Sequence, residues 1–166
     1  MTTLLLETQV AGANPIDLVE DIVQANSWPH DRTGDDEMVI EVAGRWCAYR
    51  LHFVWETSVN ALQYSCSFEL KVPRGRRAAA HELLAVVNEK LWIGHFDFAD
   101  DKNPAFRQGV LLRGGHGASV EQIEDLVDIS LAECERFYPA FQLVVWGGKS
   151  ATEAIASAMI EPVGEA

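Results

Sequence analysis

Gly148-Lys149-Ser150 ends as a phosphate-binding loop ends, so it is the first place in this chain to ask for chemistry. In the pattern G-x-x-x-x-G-K-[ST], successive backbone N–H groups wrap the phosphates and the lysine reaches the outer ones. The first glycine would have to stand where this chain has Leu143, and no apolar strand ending in a magnesium-binding Asp follows. A helix stop followed by an N-cap accounts for the same three residues. A second glycine cluster, Arg113-Gly114-Gly115-His116-Gly117, precedes a helix start, where an anion can bind. A dinucleotide fingerprint fails there because its third glycine is Val120. The cluster reads as a flexible turn, with an anion held near the N–H groups after Ser119 as the alternative.

His95 and Asp97 stand two residues apart, which puts both on one face of a strand, and His52 is a candidate neighbour. Metal sites gather three or four such ligands at familiar spacings, and none of those spacings occurs. Glu121, Glu124, Asp125 and Asp128 suggest a carboxylate face on a helix. Carboxylate-bridged metals would ask for Glu-x-x-His, which no helix carries, so these acids read as a solvated surface. There is no Gly-x-Ser-x-Gly and no cysteine with a persuasive base. The three cysteines, Cys47, Cys66 and Cys134, include no C-x-x-C pair. Cys47 and Cys66 fall on the apolar phase of their strands, as buried reduced thiols do. The sequence therefore predicts no catalytic residue, no cofactor and no metal, and a protein that is not an enzyme.

Composition narrows the partners. The 166 residues carry a formal charge of −12, which opposes the clustered Lys and Arg that nucleic acid requires. Arg74, Arg76 and Arg77 form the single basic cluster and are too few to offset the rest. The first residues lack a basic region, and no stretch approaches the roughly 20 apolar residues of a membrane helix. Free thiols, no signal peptide and no membrane span predict a cytoplasmic protein.

The elements that would position these residues follow from periodicity. Between Trp46 and Lys71 two strands alternate strictly, with Leu62, Tyr64, Cys66, Phe68 and Leu70 on one face and Gln63, Ser65, Ser67 and Glu69 on the other. Asn14-Pro15 opens a first helix that Trp28-Pro29 ends. The polar run Asp31 to Glu37 is expected as a loop, then a strand over 38–43. A two-residue turn, Gly44-Arg45, leads to the strand 46–55, whose core face takes Cys47, Tyr49, Leu51, Phe53 and Trp55. A second helix over about 76–91, two short strands near 93–98 and 106–113, and a third helix opened by the capping box Ser119/Gln122 follow. Pro139 should kink or end that helix, and Ser150 with Glu153 opens a last short one. The order α-βββ-α-ββ-α-α predicts an α+β domain, with an antiparallel sheet of about five strands and helices on one face. It would occupy residues 14–164, preceded by a flexible tail over 1–13.

Several strings are distinctive in combination: Asn14-Pro15-Ile16-Asp17-Leu18-Val19-Glu20, Glu41-Val42-Ala43-Gly44-Arg45-Trp46, Asn88-Glu89-Lys90-Leu91-Trp92-Ile93-Gly94-His95-Phe96, and Glu135-Arg136-Phe137-Tyr138-Pro139-Ala140-Phe141-Gln142 before Trp146-Gly147-Gly148-Lys149-Ser150. Over about residues 14–164 the chain resembles the YbjN family of bacterial proteins. The resemblance implies a regulator of sensory transduction and a fold like that of type III secretion chaperones, dimeric α+β proteins that hold other polypeptides. It brings no catalytic residues. The strands themselves suggest a contact surface, since Trp46, Ala48 and Val54 mix with Arg50 and His52 on the second sheet face beside Gln63. A wet face with a few tolerated apolar groups explains the same residues. The expected function is a non-enzymatic protein-interaction or chaperone-like regulator acting as a homodimer. The alternative is a small-ligand binder or enzyme with a pocket on that face. Candidate contacts are Trp46, Arg50, His52, Val54, Gln63 and, from the last helix, Met159; the other partner is an unidentified protein, with no nucleic acid and no membrane.

Overall fold

Two-residue alternation builds the sheet, and 3.6-residue stripes build the layer that covers it. The computed structural model describes residues 13–98 and 103–160; the tail expected before Ala13 and residues 161–164 lie outside that range. In chain order the elements are α1 (Pro15–Ala25), β1 (His30–Gly34), β2 (Glu37–Ala43), β3 (Ala48–Glu56), β4 (Ala61–Phe68), α2 (Arg77–Glu89), β5 (His95–Phe98), β6 (Pro104–Leu111), α3 (Val120–Val145) and α4 (Ala151–Ala158). The strands form one antiparallel sheet in the order β1-β2-β3-β4-β6-β5. Helices α1, α2 and α3 pack on the face that carries Met38, Tyr49, Leu51, Phe53, Leu62 and Phe106, and α4 lies on α2 and α3. This is the α+β arrangement that the element order predicts.

Four local expectations need correction. The sheet has six strands rather than about five, because the polar run after Pro29 contains β1. This is an edge strand exposed on both faces, so it shows no hydrophobic alternation. It is anchored through Arg32, which donates to Glu20 Oε2 at 2.6 Å and Asp17 Oδ1 at 2.7 Å on α1. Helix α1 stops at Ala25, and Ser27 turns the chain at φ 55°.

The turn between β2 and β3 is four residues, not two: Ala43 pairs with Ala48, and Gly44 N–H donates to Cys47 O at 2.8 Å. Strand β3 therefore begins at Ala48, and Trp46 is free to leave the sheet. Lastly, α3 does not end at Pro139 but runs through it to Val145. The proline offers no N–H to the carbonyl of Glu135 four residues earlier. That carbonyl is satisfied from outside the helix, by the Trp46 indole Nε1–H at 3.1 Å.

The remaining helix ends are as the sequence expects. Asn14 Oδ1 accepts Ile16 N–H at 2.9 Å, and Ser119/Gln122 and Ser150/Glu153 form reciprocal capping boxes. Arg76 closes the far end of α3, donating through Nε to Val144 O at 2.8 Å and through a terminal nitrogen to Lys149 O at 2.6 Å.

Candidate functional site

The face opposite the helices is formed by the residues out of phase with the core. The register sets His52, Ser65, Arg107 and His95 side by side across β3, β4, β6 and β5. On one side of this row lie Arg50, Ser67, Ala105 and Asp97; on the other lie Val54, Gln63 and Gly109, then Glu56, Ala61 and Leu111. With Asn103, the central residues line a shallow depression of about 870 Å³.

Its charges are partly spent on one another. Glu37 Oε1 holds His52 Nε2 at 2.6 Å. Arg107 Nε donates to Asp97 Oδ1 at 2.8 Å, and His95 Nε2 stands 3.8 Å from Asp97 Oδ2. Among the described residues, the terminal nitrogens of Arg107 have no hydrogen-bond partner, and Arg50 forms no ion pair, even with Glu41 directly across β2. Ser65 and Gln63 present further polar groups to the same space.

The order Glu37, His52, Ser65 is carboxylate, imidazole, hydroxyl, the parts of an activated nucleophile. The first link is made, but no hydrogen bond joins His52 to Ser65. His52, His95 and Asp97 do share the depression, as their spacing suggests. Among the described residues, however, no three His, Cys, Asp or Glu side chains are grouped to hold a metal ion. The arrangement turns the hydrogen-bond donors of Arg50, Arg107, Gln63 and Ser65 into the depression.

Of the six candidate contacts, Arg50, His52, Val54 and Gln63 line the depression. Trp46 does not. Its ring stacks on Tyr138 of α3 at 6.1 Å between centroids, on the helix side of the sheet, and remains 42% exposed. Met159 also lies on the helix side, packed on the core edge with its sulfur 3.8 Å from Arg136. Arg107 and Gly109 escape the sequence reading because Pro104, Ala105 and Phe106 are all buried, which hides the alternation of β6.

The turn that displaces Trp46 is a built contact. Arg45 N–H donates to Glu135 Oε1 at 2.6 Å, while the Glu135 carbonyl takes the Trp46 indole. A side chain at Gly44 would run into the Tyr49 ring and Glu135 Oε1, so only glycine fits there. Burial first, then the nearby Cys47 and Glu135, push the Tyr49 phenol far above its ordinary value and keep it protonated. Burial likewise raises the Cys47 and Cys134 thiols, so neither is primed as a nucleophile.

The tempting glycine motifs have structural work. Gly148, at φ 65°, ends the turn after α3, Lys149 N–H donates to Leu143 O, and Ser150 caps α4. Gly114 and Gly117 both take positive φ in the turn before Ser119.

Fold and face together define an α+β domain with a one-sided antiparallel sheet, whose open side carries Arg50, His52, His95 and Arg107. A family model for YbjN, described as "Putative bacterial sensory transduction regulator", matches residues 15–143, and the chain belongs to that family. The matched span runs from α1 almost to the end of α3, so it contains both sides of the Gly44–Glu135 contact. The chain is also similar in fold to a solved protein described as "Crystal structure of YbjN, a putative transcription regulator from E. coli". The TM-score is 0.51 and the identity 12%, over 80% of this chain and 90% of that one. No curated protein matches the sequence. Among the described residues, no helix is long and apolar enough to cross a membrane.

Proposed function

We propose that this protein is a non-catalytic regulator that holds a segment of another polypeptide on the open face of its sheet and acts as a homodimer. The observation that carries the reading is the depression of about 870 Å³ across β3, β4, β6 and β5, on a sheet whose two edges are both blocked. At the β5 edge, the Asn88 side chain accepts Phe96 N–H at 2.7 Å and donates to Phe96 O at 3.0 Å, occupying the groups an added strand would need. At the other edge, β1 is five residues long, charged and interrupted in register between Asp31 and Gly34. Strand addition is disfavoured at both edges, which leaves the face as the place for a partner. The family description as a sensory transduction regulator supports the same reading.

The dimer element in this reading lies on the helix side, where Trp46, Met159 and the 72% exposed Ile160 provide apolar contact area. Light scattering on wild type, Trp46→Glu and Met159→Glu, with folding checked by circular dichroism, tests it. A monomeric wild type at tens of micromolar refutes the dimer; loss of the dimer in Met159→Glu alone assigns it to the α4 end. Affinity capture with wild type and Gly109→Leu tests the face: a partner retained equally by both removes the depression from the proposal. The second reading, a small-ligand site, is favoured by the convergence of His52, His95 and Arg107 in one concavity. Calorimetric titration with small carboxylates and phosphates would reveal it.

A further inference from the structure

The two ends of the open face differ in chemistry, and the difference specifies what it takes. At one end stand Arg50 and Arg107 with the imidazoles of His52 and His95. Of the acids beside them, Glu37 is committed to His52 and Asp97 to Arg107, while Glu41, across β2 from Arg50, forms no ion pair with it. Among the described residues, Arg50 has no ion-pair partner, and Arg107 is anchored through Nε with no partner at its terminal nitrogens. An Arg oriented by one carboxylate presents its remaining donors to a second anion.

Across β3, β4 and β6 the two arginine positions are separated by two strand spacings of about 4.8 Å each and offset by two residues, which two arginine side chains can close over one bound group. At the other end of the face stand Val54, Ala61 and Leu111, the last 80% exposed. Between the ends, Gly109 leaves an empty seat: a Cβ built there meets nothing within 4 Å.

Resting on the docking reading above, we infer that the open face recognises an acidic segment of the partner polypeptide. A carboxylate side chain is held between Arg50 and Arg107, and an aliphatic side chain two to three residues away lies over Gly109 against Val54 and Leu111. The protein as a whole is acidic, at −12, but at physiological salt charges beyond about 8 Å are screened, so the local donors decide the specificity.

The test uses the full chain and two fluorescein-labelled peptides of Gly and Ser, one carrying Leu and Glu and the other Leu and Lys at the same positions, followed by fluorescence anisotropy. The acidic peptide should bind at least about tenfold more tightly than its basic counterpart, and raising NaCl from about 0.05 to about 0.5 M should weaken it. Arg50→Glu and Gly109→Leu should each cost it about tenfold or more with unchanged melting temperatures, since Arg50 is exposed and Gly109 has room for a side chain.

Equal binding of the two peptides, abolished by Gly109→Leu but untouched by Arg50→Glu, overturns the acidic specificity and leaves the docking face standing. Binding of neither peptide overturns the inference, and with no partner captured it overturns the docking reading too. Displacement of the acidic peptide by inorganic phosphate at equimolar concentration also overturns it, assigning the arginines to a small oxyanion instead.

Discussion

At Pro139 a helix gives up a donor, and the Glu135 carbonyl left without it is served by an indole 89 residues before Glu135. A net hydrogen bond contributes about 1 kcal/mol, and this one lies near the surface, where water can replace it in part. Trp46→Phe, which keeps the ring and removes the N–H, should therefore destabilise by about 1 kcal/mol. In a Pro139→Ala background the new N–H serves the same carbonyl, so the penalty of Trp46→Phe should shrink by about half or more. Urea melts of the four proteins measure the coupling; strictly additive costs would show that the indole bond contributes nothing through that carbonyl. Gly44→Ala, forced against Tyr49 and Glu135, should cost about 1–3 kcal/mol in the same assay. The thiols give a separate residue-level expectation. Cys66 and Cys134 are buried with sulfurs 3.7 Å apart, and burial raises Cys134. A thiol-specific dye at neutral pH should react with the half-buried Cys47 alone before the chain unfolds, and with all three cysteines afterwards; rapid reaction of two or more in the native protein would contradict that burial.

Helix ends are the elements the sequence declares best, because a cap is decided within four residues. Asn14, Ser119 and Ser150 all cap the helices whose starts they mark. Ser119→Ala and Ser150→Ala should each cost about 1 kcal/mol. Unchanged stability in Ser119→Ala with loss of a bound partner would instead place that serine in a site. Hydrogen bonds from Ser150, its hydroxyl first, hold the Glu153 carboxyl below its ordinary value. A depressed folded value means that this stabilisation is present above the unfolded carboxylate range and is lost as pH falls through the folded one. The deficit of Ser150→Ala should therefore narrow in thermal melts taken from about pH 7 down to about pH 3; a deficit constant with pH would show that Glu153 does not contribute as a carboxylate. What the sequence does not declare is equally physical. β1 faces solvent on both sides, so it has no apolar phase to read. The direction of Trp46 is set by a turn, where alternation stops applying. Arg107 and Gly109 of the open face come from β6, which pairs with β4 across α2 and β5, and no local signal fixes that register. Arg50, His52, Val54 and Gln63 could be assigned to one face because they sit on adjoining strands joined by a short turn.

For the molecule as a whole, the sheet must keep one face available without offering its edges. Asn88 does this at β5 with a single side-chain amide. Asn88→Ala should leave the Phe96 N–H and carbonyl open, and self-association on warming, followed by light scattering, should rise while the monomer's circular dichroism at low temperature stays unchanged. A variant no more prone to associate than wild type would show that the edge is guarded by something else. The contact between the Gly44–Cys47 turn and Glu135 carries a further consequence, one of time. The hairpins β2–β3 and β3–β4 close over short loops, but this contact waits until α3, 90 residues on, has docked. On that order of assembly the contact forms on the native side of the folding barrier, where it lengthens the life of the folded state without hastening its arrival. Trp46→Ala should then steepen escape, raising the unfolding limb of a chevron plot while the refolding limb stays in place, with a φ-value near zero. A slowed refolding limb would instead make the turn part of the nucleus. On the first outcome, the fold assembles from its amino-terminal meander and is bolted last by a tryptophan seated over a proline.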